Sequence, residues 1–251
     1  MIGHVERVMG TVVSFAVSPG ELDDTETEAA IGRACRILHD ADEMFSTFKP
    51  QSPLSRHRRG ELTAEEMPGE LFELLELSAR AVRLTGGAFD PWAIPGGVDP
   101  SGIVKGWAAS RALDELRAAS ASAAMVNAGG DVACFGEQPW RIGVRDPHDA
   151  DRLVCIADVR SAIATSGGYE RPGEIIDPRT GAPAAALAQA TVTGPSLSLC
   201  DAYATALIVS GEEGLGMLEP GYTAVIVTGD GRMLATPAFP LAEEAPTAIR
   251  A

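Results

Sequence analysis

Asp201 and Thr205 lie four residues apart in an apolar stretch, a spacing that puts both oxygen-bearing side chains on one helical face. A carboxylate and a hydroxyl, completed by backbone carbonyls and phosphate oxygens, suit Mg2+, a hard cation that takes few protein ligands. The same pair also fits a plainer role, with Asp201 as a helix N-cap and Thr205 bonded back to its own helix. Upstream, Asp99-Pro100-Ser101-Gly102-Ile103-Val104-Lys105-Gly106-Trp107 reads as a loop entering a helix. Backbone N–H groups at that helix start, with Lys105 beside them, suit an anion such as phosphate. The Gly-Lys-Ser/Thr order of a Walker loop is missing. Only Lys49 and Lys105 are lysines among 20 basic residues, so the point charge at 105 stands out, although a solvated helix-start lysine would look the same.

Three glycine-marked segments complete the set. Thr85-Gly86-Gly87-Ala88-Phe89-Asp90-Pro91 closes a helix and opens a loop, and Asn127-Ala128-Gly129-Gly130-Asp131 follows a strand. Ala164-Thr165-Ser166-Gly167-Gly168-Tyr169 precedes Ile175-Ile176-Asp177-Pro178-Arg179-Thr180-Gly181. Paired glycines permit positive φ or close backbone approach to a ligand. Taken singly, each segment has an ordinary reading as a glycine C-cap or a tight turn. Their order along the chain is more informative than any one of them.

The elements that must position these residues can be read from periodicity. Residues 5–17 are β-branched-rich and read as a strand. Apolar positions Ile31, Ala34, Cys35, Leu38, Ala41 and Phe45 trace a helix over 24–46, with Asp24 or Thr25 as N-cap. Further helices are expected over 68–84, stopped by Gly86-Gly87, over 104–119 and over about 199–209. Strand-like runs fall at 122–127, 131–135, 140–145, 153–159 and 188–194, with a hairpin-like pair at 222–227 and 232–235. Strands and helices without strict βαβ alternation favour an α+β fold with a mixed or antiparallel sheet and flanking helices. The chain reads as one unit over 1–240 with a loose tail over 241–251.

Composition narrows the function classes. The 251 residues carry a formal net charge of −15, which argues against a counterion-release grip on nucleic acid. No apolar run approaches the ~18 residues of a membrane helix. His4, Glu6 and Arg7 interrupt the opening residues, and no lipobox-like Cys lies near residue 20, so the expected location is cytoplasmic. Cys35, Cys134, Cys155 and Cys200 form no CxxC pair, which points away from zinc and toward buried free thiols.

Taken together, these segments resemble the ApbE family, the FAD:protein FMN transferases. The resemblance runs through Met9-Gly10-Thr11, Ser46-Thr47-Phe48, 52–56, 86–91, 102–107, 127–131, 140–144, 165–167, 175–181 and 201–207, most of the chain and in the family's order. It implies an enzyme that binds FAD and Mg2+ and moves FMN onto a Thr or Ser hydroxyl of an acceptor flavoprotein, releasing AMP. Met9, Phe48, Ala88, Phe89, Asp90, Asp99 and Lys105 would line the FAD site, where the Phe48 ring can stack on a flat heterocycle. Asp201 and Thr205 would hold the metal, with a backbone carbonyl near Gly102. The chain departs from the family's pattern in two places. Glu174 stands where many members have a catalytic His before Ile-Ile-Asp-Pro, and Ala204 stands where some have a second Asp. Glu174 is then the expected base, although a carboxylate is a weaker base than an imidazole unless burial strengthens it. Two other activities use nearly the same residues: a Mg2+-dependent FAD pyrophosphatase yielding FMN and AMP, and a non-catalytic FAD-binding protein.

Overall fold

The computed structural model describes residues 1–63, 65–93, 96–168 and 173–244. The run expected as a single strand over 5–17 is a hairpin, β1 (Ile2–Val8) and β2 (Thr11–Ser18). Met9 and Gly10 turn the chain with φ of +53° and +68°, the left-handed pair that a two-residue hairpin turn requires. Glycine adopts this readily, whereas Met9 is held there at a cost of about 1–2 kcal/mol.

Helix α1 (Asp24–Phe45) starts one residue earlier in its capping than expected. Asp23, not Asp24 or Thr25, accepts from the Glu26 amide at 2.8 Å, and Glu26 accepts from the Asp23 amide at 3.0 Å. This reciprocal pair satisfies donors that the first turn leaves open. A short helix the periodicity missed, α2 (Pro53–Arg58), follows. The Ser52 and Ser55 hydroxyls both donate to the Ser46 carbonyl, at 2.6 and 3.1 Å, and fasten the loop that carries Phe48. Helix α3 (Gly69–Leu84) ends as its glycines predict: Gly87 N–H reaches the Val82 carbonyl at 2.9 Å and Gly86 N–H the Arg83 carbonyl at 3.3 Å. This is the Schellman pattern, with both glycines at positive φ.

Helix α4 (Ser101–Ala118) precedes the strands β3 (Ala123–Ala128), β4 (Asp131–Phe135), β5 (Trp140–Arg145), β6 (Leu153–Val159), β7 (Ala162–Gly167) and β8 (Gln189–Gly194). Helix α5 (Leu197–Ser210), a 3-10 turn over Gly211–Met217, and β9 (Thr223–Val227), β10 (Met233–Ala235) and β11 (Leu241–Glu244) complete the chain. Strand β7 was legible only as a glycine-marked loop. Residues Leu241–Glu244, at the head of the expected tail over 241–251, pair with β6, and residues 245–251 lie outside the described residues.

An eight-stranded antiparallel sheet runs in the order β1-β2-β3-β4-β7-β8-β9-β10, and β11-β6-β5 form a second, smaller sheet. Side chains alternate between two cores, as the period of a strand requires. Ala133, Ala162, Ala164, Ala224 and Ile226 face the helices, while Val132, Cys134, Ile163 and Val225 face the small sheet. The fold is thus the expected α+β arrangement, with α1, α4 and α5 on one face of an antiparallel sheet. All four cysteines are buried and unpaired with one another.

Candidate active site

The site forms where α4 and α5 cross over one end of the large sheet. Gly106 permits the crossing, because a Cβ there would lie 2.7 Å from the Ser198 backbone nitrogen. One residue earlier on α4, Lys105 donates to Asp131 Oδ2 at 2.6 Å. Asp131 follows the Gly129-Gly130 turn, whose φ angles are +68° and +105°, and is 2% exposed. Its other oxygen accepts from the Thr165 amide at 3.3 Å.

Asp201 is buried five residues into α5, which begins at Leu197 after Ser196. The N-cap reading of Asp201 therefore falls. The alternative for Thr205 falls as well, since its hydroxyl hydrogen-bonds the Ser166 hydroxyl at 3.1 Å. Among the described residues, Asp201 Oδ2 has no hydrogen-bond partner. Burial, and then the Asp131 charge, push the Asp201 carboxyl up to about 8, with Lys105 opposing the shift and Glu174 adding to it. Burial disfavours the Lys105 ammonium, but Asp201, Asp131 and Glu174 together outweigh it and hold its pKa above the ordinary value. The exposed carboxylate of Glu174 is thus within electrostatic reach of both groups.

A buried carboxylate oxygen without a partner among the described residues, with the Thr205 hydroxyl one turn on along α5 and the Ser166 hydroxyl on the adjoining β7, is what a divalent cation with oxygen ligands fits. Gly102 lies in the first turn of α4, where a Cβ would sit 3.0 Å from the Phe89 ring.

The remaining expected residues lie in loops and turns outside the named helices and strands. Phe48 is 94% exposed, an unusual state for a phenylalanine. Ala88 and Phe89 belong to the main core, so they shape the wall from behind. Asp90 Oδ1 accepts from the Trp92 amide at 2.9 Å, and Asp99 Oδ1 accepts from the Ser101 amide at 3.1 Å. The Asp99 amide donates to the Pro91 carbonyl at 2.9 Å, two residues before α4 begins at Ser101. Met9 reaches the same end of the sheet, since Thr11, two residues on, lies against Gly129. Sequence reasoning gave Asp131 and Ser166 no role. The available signal at 131 was a single acid placed directly after a Gly-Gly turn, at the head of an apolar strand.

The family model described as the ApbE family matches residues 9–96 and 95–227. A FAD:protein FMN transferase from Rhodobacter capsulatus is 37% identical over 156 residues, which is 56% of this chain and 30% of that protein. One from Treponema pallidum is 31% identical over 165 residues, 55% of this chain and 46% of the relative. The chain thus spans less than half the length of the curated relatives it matches. A solved flavin transferase ApbE from Vibrio cholerae superposes with a TM-score of 0.79 at 25% identity, covering 95% of this chain and 97% of that one. With most of its length matched by the family model and its whole fold shared, the chain belongs to the ApbE family.

Proposed function

We propose that the protein is a Mg2+-dependent FAD:protein FMN transferase that moves FMN from FAD to a Thr or Ser hydroxyl of an acceptor flavoprotein and releases AMP. The observation that carries this reading is the unpartnered, buried oxygen of Asp201 beside Lys105 and Thr205, in a chain whose curated relatives are named for that activity. Asp201, Thr205 and a backbone carbonyl near Gly102 are the residues that would hold Mg2+. When bound, the cation neutralises charge on the pyrophosphate oxygens.

In this reading the first turn of α4 and Lys105 receive the anionic pyrophosphate. Asp131 keeps the Lys105 ammonium charged and aimed by its 2.6 Å hydrogen bond. Met9, Phe48, Ala88, Phe89, Asp90 and Asp99 bound the flavin and adenine, with the Phe48 ring stacking on one of them. The acceptor hydroxyl attacks the FMN phosphorus, the bond to the bridging oxygen breaks, and AMP leaves with that oxygen. Glu174 takes the hydroxyl proton. Its exposure leaves room for an incoming side chain, which suits a protein acceptor.

The test incubates the full chain with FAD and Mg2+, with and without a flavin-acceptor domain, and follows AMP, free FMN and protein-bound flavin together. Flavin on the acceptor in step with AMP is the expected result, with Glu174→Gln shifting the pH profile of transfer. Free FMN and AMP without an acceptor would make the protein an FAD pyrophosphatase. Bound but intact FAD with every divalent cation would make it an FAD-binding protein.

A further inference from the structure

Strand β1 turns Ile2, His4, Glu6 and Val8 inward and Gly3, Val5 and Arg7 outward. Val5 points outward at 63% exposure, whereas its neighbours His4 and Glu6 lie half-buried on the face that meets α1. Across from them α1 presents Cys35 and, one turn on, His39, spaced i and i+4 on one helical face. The His4 Nε2 and Glu6 Oε2 atoms are 3.4 Å apart, and His39 Nε2 is 3.2 Å from Glu6 Oε1. One ligand atom each from His4, Glu6 and Cys35 fall within 4.8 Å of one another. Two ligands at the usual ~2.1 Å from a tetrahedral Zn2+ are separated by about 3.4 Å. The His4–Glu6 pair already has that separation.

We propose that His4, Glu6 and Cys35 bind a Zn2+-like transition-metal ion that fastens the edge strand β1 to α1. An imidazole, a carboxylate and a thiolate form a donor set that favours Zn2+ over a hard cation such as Mg2+. His39 positions Glu6 through the oxygen that faces away from His4, the outer hydrogen bond that a ligating carboxylate ordinarily receives. The His4 ring is itself steadied by Phe15, 5.9 Å away between centroids. Cys35 is buried, but His4 and Glu6 keep side-chain exposures of 40% and 28%, which leaves an entry path and a solvent position to complete the coordination. On binding, the Cys35 thiol proton goes to buffer as the sulfur–metal bond forms. None of these residues belongs to the set around Asp201, so the clamp stands whether or not the proposed flavin transfer does.

The experiment titrates Co2+ into the chelator-treated full chain and reads the thiolate-to-cobalt charge-transfer absorption. The expected result is a stoichiometric band that Zn2+ abolishes and excess Mg2+ does not, with Zn2+ raising the melting temperature. Cys35→Ser removes the band, and His4→Gln and Glu6→Gln, at half-exposed positions that leave folding intact, weaken binding on the order of ten- to a hundredfold. Asp201→Asn leaves the band unchanged. Absence of the band, its survival in Cys35→Ser, or its displacement by Mg2+ overturns the proposal.

Discussion

Asp201→Asn should make the metal-free protein more stable and the flavin chemistry fail. The wild-type carboxyl has its pKa raised from 3.8 to about 8, chiefly by burial. A raised acid favours the neutral form in the fold, so its contribution is complete below the unfolded value and drains away as pH climbs through about 8. At about 1.4 kcal/mol per pKa unit, the full shift caps the loss near 6 kcal/mol. Local relaxation and water reaching the buried group bring the expected gain for the asparagine variant at about pH 8 down to roughly 2–4 kcal/mol. At about pH 3 the two proteins should be nearly equal, because the wild-type group is then mostly protonated in both states. Urea midpoints in chelator at both pH values measure the difference. Adding Mg2+ should raise the midpoint of the wild type and leave the variant where it was. If the variant is less stable at both pH values, or gains as much from Mg2+ as the wild type, Asp201 is not a strained metal ligand.

Phe48→Ala should leave the denaturation midpoint within about 0.5 kcal/mol of wild type, since the ring is 94% exposed, yet weaken FAD binding by about 1 kcal/mol. Equal losses in both would mean that the ring has a structural role. Gly106→Ala forces a methyl toward the Ser198 backbone, where a Cβ would lie at 2.7 Å, and should cost about 1–3 kcal/mol in urea unfolding while reducing Mg2+ affinity. An unchanged midpoint would mean that α4 and α5 are free to part. Lys105→Met leaves the Asp131 carboxylate buried without its cation and should cost about 2 kcal/mol, discounted because the lysine is one-third exposed. Adding Asp131→Asn should recover part of that loss, and a purely additive double variant would show that the pair is not coupled.

Periodicity located most of this fold because most elements bury one face. The strands at 131–135, 140–145 and 153–159 and the helix closed by Gly86-Gly87 fall where alternation and capping place them. It failed where the local pattern was overridden. Nothing in a β-branched run announces a hairpin turn through Met9, because that residue rarely takes positive φ, and β7 hides behind its Thr-Ser-Gly end. The residues that the structure gathers were singled out in the sequence by type: Asp201 and Thr205 by their four-residue spacing, and Lys105 as one of two lysines, placed at a helix start. Their wiring was not legible. Lys105 and Asp131 are 26 residues apart and Ser166 and Thr205 are 39 apart, and only the antiparallel pairing of β4 with β7 under two crossing helices unites them. Cysteine spacing along the chain carries no trace of the neighbourhood of Cys35, which meets His4 and Glu6 only when α1 lies on β1.

In the readings proposed above, several residues that break local rules in this fold are ones that would meet a ligand. A methionine held at positive φ and a carboxyl buried with one oxygen that has no hydrogen-bond partner among the described residues each cost stability where they stand, and a phenylalanine left in solvent adds none. A sequence selected for stability alone would replace every one of them with a residue that fits its site better. The Met9, Phe48 and Asp201 violations belong to the set assigned to flavin and Mg2+. The His4–Glu6 pair has no part in that set; its side chains hydrogen-bond one another and His39, and the ion proposed beside Cys35 would add to that arrangement. The two proposed sites, one of hard oxygen donors and one including sulfur, would take cations of different chemistry.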